Sequence, residues 1–229
     1  MIPEIDFTDP ATVRLISTAY IDEPAVKPLC DDEDDIEILN RLEALTSARL
    51  SPLALPAGVS PAELLNDSFG YGWSLINAAF CHARPPGNRF NTEDRGAWYC
   101  AFGDNALETC QAEIVYHRTR ALADAGIFQD IGAYRELIAG FTCRFHDVRG
   151  EKDAAYLGPD PALAYPAGQA LAATIFADGG NGLIYPSARH AQGECIAVFR
   201  PAVIQNIRQG RTITFAWKGT REPEIRREG

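Results

Sequence analysis

Residues 85–117 read PPGNRFNTEDRGAWYCAFGDNALETCQAEIVYH. This stretch places Arg89 between amide and aromatic residues, Tyr99 inside a short apolar run, and Glu113 within a helical pattern. A guanidinium offers a planar fork of donors to a phosphate. A tyrosine ring at a strand end can stack on a pyridinium or an adenine. A carboxylate beside a ribose can steady the oxocarbenium-like cation that forms as a glycosidic bond breaks. The three together suit a phosphate-bearing sugar substrate. Arg14, in the β-rich run TVRLISTA, and Ser187, in Tyr-Pro-Ser-Ala-Arg, extend the set. The serine hydroxyl can bond an amide or a ribose. Spacing alone leaves Arg14 equally readable as an exposed arginine at a strand edge.

Other chemistries lack their signatures. No G-x-G-x-x-G opens a βαβ unit, and there is no Walker loop. Ser187 does not sit in a G-x-S-x-G elbow. Glu113 and His117 stand four apart without a second histidine to complete a zinc pair, and Cys143 and His146 stand alone. No metal is expected.

The elements that must position these residues follow from hydrophobic pattern and punctuation. Residues 1–12 read as irregular and 12–19 as a strand. The acidic run DDEDD leads into a helical stripe at Ile36, Leu39, Leu42 and Leu45. Residues 51–70 read as a long loop with a short helix near 61–65. The apolar run 74–83 fits a buried strand or a short helix. Residues 97–101 form a strand, and Asn105 with Glu108 fits a capping box for the next helix. On that helix Leu107, Cys110, Ile114 and His117 share a face, with Glu113 at its margin, where a half-buried carboxylate needs a partner or a ligand. Residues 126–165 are poorly patterned. A helix over 166–177 ends at Asp178-Gly179-Gly180 and is followed by strands over 182–185, 194–199 and 212–218. The last ten residues are charged and expected to fray. With no internal repeat and no clean boundary, residues 1–229 are expected to form a single α/β (α+β) domain around a mixed, twisted sheet.

The chain of 229 residues has a formal net charge of −10, with 46% hydrophobic and 23% charged residues. That charge argues against direct nucleic-acid binding, which needs a basic face. An anionic ligand must therefore meet a local arginine cluster. No apolar run approaches a membrane span, and MIPEIDFTDP lacks a secretory signal, so the expected location is cytoplasmic. Six cysteines without paired spacing read as buried, reduced thiols.

The ordered segments RLIS, GNRFN, GAWYCA, LETCQAEIVYHR, GLIYPSARH and GECIAVFRP resemble the RES-domain family across roughly residues 13–218. The family is named for its arginine, glutamate and serine. It comprises toxins of bacterial type II toxin–antitoxin pairs, whose antitoxins carry an Xre-like DNA-binding domain. The resemblance implies a fold similar to ADP-ribosyltransferases and NAD as a consumed substrate. It places Arg14 and Arg89 at the NAD-gripping arginines, Tyr99 at the ring-stacking tyrosine, Glu113 at the catalytic glutamate and Ser187 at the family serine. It further implies transfer of ADP-ribose to a protein acceptor, which in the ParT-like branch is phosphoribosyl pyrophosphate synthetase. Phosphorolysis or hydrolysis of NAD is the alternative within the family, and a non-catalytic NAD-binding module is the alternative outside it. An Xre-like antitoxin that blocks the active site is the expected partner. The commoner second motif is GGRW; Asn88 and Phe90 here replace its glycine and tryptophan.

Overall fold

The computed structural model describes residues 2–18, 55–151 and 153–228. The expected helix carrying Ile36 to Leu45, and Cys30, lie outside them. Strand β1 spans Glu4–Ser17. Ile5 and Phe7 alternate with outward Glu4, Asp6 and Thr8, the period of a half-buried strand. The strand therefore begins well before the expected residue 12. Pro10 suggested a break, but it sits where the register shifts between Asp9 and Thr12, and a bulge accommodates the missing donor. A one-turn helix at Pro61–Glu63 is capped by Ser60 and Glu63 in a reciprocal capping box. The apolar run resolves into helix α1, Trp73–Cys81.

Strand β2 is Trp98–Phe102 and helix α2 is Ala106–Ala125. Asn105 occupies the N-cap position, but its side chain makes no capping bond. Glu108 instead pairs with Arg227 at 2.8 Å, so the expected capping box is absent. Gly126 closes α2 in the left-handed conformation. The stretch expected to lack pattern contains β3, Gln129–Asp147, the longest of the described strands. Helix α3, Pro161–Ala177, starts before the expected residue 166, because Asp160 caps Ala162 N and Pro161 takes the first helical position. Strands β4 (Gly182–Pro186), β5 (Glu194–Val198) and β6 (Gln205–Lys218) follow. The terminal residues, expected to fray, pair with β6 as β7, Glu224–Glu228.

The strand order is β1-β2-β5-β4-β3-β6-β7, with β1 also paired to β3, so five strands close on themselves and β6 and β7 extend the sheet. Among the described strands only β3 and β4 run parallel, as a mixed sheet requires. The mixed α/β architecture expected from the sequence is present. Alternate residues of the short central strands enter different cores. Trp98, Cys100, Ile184, Ile196 and Val198 meet Leu137, Phe141 and Phe145 of β3. Ala101, Leu183, Tyr185, Cys195 and Ala197 turn the other way, against Phe90 and against Ala172 and Ile175 of α3. A third cluster packs Ile213, Phe215 and Trp217 of β6 beneath Leu107, Ile114 and Leu122 of α2. Each fully buried large apolar side chain contributes about 1.5–3 kcal/mol. This two-sided burial keeps β2, β4 and β5 rigid, and their second face becomes the floor of a cavity. No helix among the described residues is long and apolar enough to cross a membrane.

Candidate active site

A cavity of about 270 Å³ is lined from β1, β2, β4, β5, α2 and α3. Arg14, Arg89, Tyr99 and Glu113, chosen from sequence, all line it. So do His117, Tyr165, Tyr185 and Arg189. A wider groove shares Arg14, Leu15, Asn88 and Tyr99 as its wall.

Arg89 is supplied by the turn between α1 and β2. Gly87 has φ +83°, and a Cβ there would lie 2.2 Å from Asn91 O, so the turn requires glycine at this position. Asn88 and Asn91 bridge across the turn, and Asn88 Nδ2 donates to Asn91 Oδ1 at 3.2 Å. Asn88 therefore fits where the commoner motif has glycine. Phe90 is buried edge-on against Tyr185, with ring centroids 4.8 Å apart. From α3, Gln169 Nε2 donates to Pro86 O, Asn88 O and Asn91 O at 3.0–3.1 Å. Arg89 itself donates from one nitrogen to Tyr156 O and Gly158 O, and its guanidinium lies 5.8 Å from the Tyr165 ring.

Tyr99 braces the same turn. Its hydroxyl donates to Asn91 Oδ1 at 2.9 Å and accepts from Phe90 N at 3.0 Å. Burial raises its pKa, so the phenol stays protonated. The hydroxyl is committed to the turn, which leaves the ring as the surface that Tyr99 presents to the cavity. Arg14 donates to Tyr99 O at 3.1 Å and lies over Trp98, 4.8 Å from the ring centroid. Its Nε is buried without a hydrogen-bond partner, and desolvation lowers its pKa. A buried cationic donor with nothing to bond calls for an anionic acceptor.

Glu113 projects from α2 and keeps 34% of its side-chain surface exposed. Ser187 Oγ donates to Glu113 Oε1 at 2.9 Å and accepts from the amides of Arg189 and His190 at 3.1 and 3.2 Å. The serine has one proton, and it goes to the carboxylate. Ser187 thus orients Glu113, and it is not itself among the residues lining the cavity. The second carboxylate oxygen, Oε2, lies 3.8 Å from His117 Nε2. Arg189 was not singled out from sequence. It stacks on Tyr116 with its guanidinium carbon 3.4 Å from the ring centroid, and it donates to Pro159 O. Its place in a loop after β4, remote in sequence from residues 85–117, gave no local signal.

The cavity therefore gathers three arginines and one glutamate in a chain of net charge −10. The thiols lining it are inert. Burial lifts Cys100 and Cys110 to about 12 and Cys195 well above its ordinary value. Among the described residues, no group of three or more His, Cys, Asp or Glu gathers to hold a metal.

The RES domain family profile matches residues 65–218. The match includes Arg89, Tyr99, Glu113 and Ser187 and begins after Arg14. No curated protein sequence matches the chain. Among solved structures, a chain of the M. tuberculosis MbcT–MbcA toxin–antitoxin complex is similar at 15% identity and a TM-score of 0.44, covering 93% of this chain and 87% of that one.

Proposed function

The chain belongs to the RES domain family, and on that premise we propose that it is a toxin that consumes NAD by breaking the nicotinamide–ribose bond. The observation that carries the reading is the single carboxylate, Glu113, held by Ser187 in a cavity that Arg14, Arg89 and Arg189 also line. A cavity of about 270 Å³ is just below the range of about 300–1,000 Å³ for drug-sized ligands. It suits the nicotinamide riboside end of the dinucleotide. The remainder extends along the groove bounded by Arg14, Asn88 and Tyr99, with the pyrophosphate beside the arginines. The Tyr99 ring packs on the nicotinamide side. As the glycosidic bond breaks, nicotinamide leaves as a neutral base with the electron pair of that bond. The positive charge left on the ribose faces Glu113. A carboxylate fixed in advance stabilises that charge without reorganising.

ADP-ribose then passes to a protein side chain, with phosphoribosyl pyrophosphate synthetase the leading candidate from the family resemblance. A second reading, transfer to phosphate or water, is favoured by one feature: about half of the His117 side chain beside Glu113 is exposed, so solvent reaches the carboxylate. Labelled NAD incubated with bacterial lysate and the protein separates the two readings. A labelled protein identified by mass spectrometry supports transfer to protein. Label found only in free ADP-ribose or its phosphate supports the second reading, and intact NAD contradicts both.

An Xre-like antitoxin is the proposed partner. An arginine-lined cavity in an acidic chain accepts a carboxylate from a partner segment in place of the substrate phosphate. Any DNA contact comes from that partner, because this chain lacks a basic excess. Co-expression is expected to give a complex that does not cleave NAD, with cleavage restored when the inserted segment is trimmed. A complex that cleaves NAD at the rate of the free toxin contradicts active-site blocking.

A further inference from the structure

In the sequence Glu113 and His117 read only as an incomplete metal motif. On α2 they lie one turn apart, and both line the cavity. The two carboxylate oxygens are not equivalent. Oε1 accepts the Ser187 hydroxyl, whereas Oε2 faces His117 Nε2 at 3.8 Å. That gap is too long for a hydrogen bond, but a small acceptor bound at the cavity mouth can touch both groups. Resting on the NAD-cleaving reading, we propose that His117 is the catalytic base that takes the proton of the nucleophile attacking the ribose carbon.

The step balances. The acceptor H–X, a hydroxyl or water, forms an X–C bond to the ribose C1′. The C1′–nitrogen bond breaks, and its electron pair leaves with neutral nicotinamide. The proton of H–X moves to His117 Nε2. The imidazolium so formed lies beside Glu113, whose charge stabilises it, and it later returns the proton to solvent. Glu113 then has one task, stabilising cationic charge, and needs no proton. The half-exposed His117 ring shares the arginine-rich site, and neighbouring positive charge suits a base that must be neutral at rest.

The groups facing the ring are known for each element around it. From α2 come Glu113, Arg120 and Tyr116, whose ring meets His117 edge-on at 5.1 Å. Arg189 comes from the loop after β4 and Arg89 from the turn before β2. Tyr165 of α3 lines the same cavity. Burial lowers the His117 pKa, Glu113 opposes that shift, and the three arginines reinforce it. The base must be neutral to accept a proton. The rate should therefore fall as pH drops through the His117 pKa, which lies below the usual value of about 6.5.

The test measures nicotinamide release from NAD by the full chain, with water, methanol or lysate as the source of acceptor. Water and methanol do not titrate in this range. For wild type, kcat is expected to decline on the acid side with an apparent pKa below about 6.5. His117→Gln is expected to lower kcat by about 10²-fold, with little change in KM for NAD, to lose the acid limb, and to be partly rescued by added imidazole. Wild-type kcat that stays flat from neutral pH to about pH 5 would overturn the proposal without need of any variant. So would His117→Gln that keeps wild-type kcat and the same acid limb. If wild type releases no nicotinamide with any acceptor, the NAD-cleaving reading falls and takes this inference with it. Release by wild type with an unaffected variant removes the base assignment alone.

Discussion

Glu113→Gln is expected to abolish growth inhibition and to lower NAD cleavage by about 10²–10³-fold or more, the effect of removing a preorganised electrostatic partner from a transition state. The substitution keeps the shape of the side chain. Its amide oxygen can still accept the Ser187 hydroxyl, which now donates to Glu113 at 2.9 Å. Arg14, Arg89 and Tyr99 are untouched, so NAD binding and the melting temperature should stay close to wild type. The experiment pairs a calorimetric binding isotherm with a cleavage assay. Retained binding with lost cleavage supports catalysis. If the variant keeps its growth phenotype, the alternative of a non-catalytic NAD-binding module stands instead.

Gly168→Ala should unsettle both the fold and the site, although it adds one methyl group. Alanine within a helix normally gains about 1 kcal/mol over glycine. At this position of α3, however, the new Cβ would lie 2.1 Å from Arg89 O, 3.1 Å from Arg89 C and 3.2 Å from Phe90 Cδ1. Neither backbone can yield in place, because the neighbouring Gln169 already holds the same turn by three hydrogen bonds. Overpacking costs about 1–3 kcal/mol and outweighs the helical gain. Net of the helical gain, up to about 2 kcal/mol of destabilisation is left, so for a chain of this size the melting midpoint should fall by up to roughly 8 °C. Arg89 should be displaced with its turn, so the KM for NAD should rise. An unchanged or higher melting point would show that α3 does not press on the arginine-bearing turn as described.

Much of the site was legible because Arg89, Tyr99 and Glu113 lie in one continuous stretch of turn, strand and helix. Each of those elements carries a strong local signal: proline and glycine at 85–87, an apolar run at 97–101, and a helical stripe after Asn105. The supporting residues come from distant parts of the chain. The carbonyls of Tyr156 and Gly158, the amide of Gln169 and the guanidinium of Arg189 act through tertiary contacts that spacing does not encode. The role of Ser187 shows the same limit. The residue was identifiable, but the direction of its hydroxyl proton toward Glu113 was not.

The fold was legible where strands are short and apolar, as in β2, β4 and β5. It was hidden in β3, whose register shifts between Arg135 and Leu137 and again between Ile138 and Gly140. Those bulges break the two-residue period, and buried Glu136, which accepts from Arg211 N at 2.7 Å, reads as a surface residue. Strand β7 was hidden for another reason. It is an edge strand, EIRRE, and edge strands carry charges.

The central claim is that this cavity breaks the nicotinamide–ribose bond of NAD. The most direct measurement follows free nicotinamide by chromatography after NAD is mixed with the purified chain, alone and with NAD-depleted lysate as a source of acceptors. Nicotinamide is expected to appear in proportion to protein added, and to be lost with Glu113→Gln at unchanged protein stability. NAD that stays intact under every acceptor condition, or release that continues unaltered in the Glu113→Gln variant, would contradict the account.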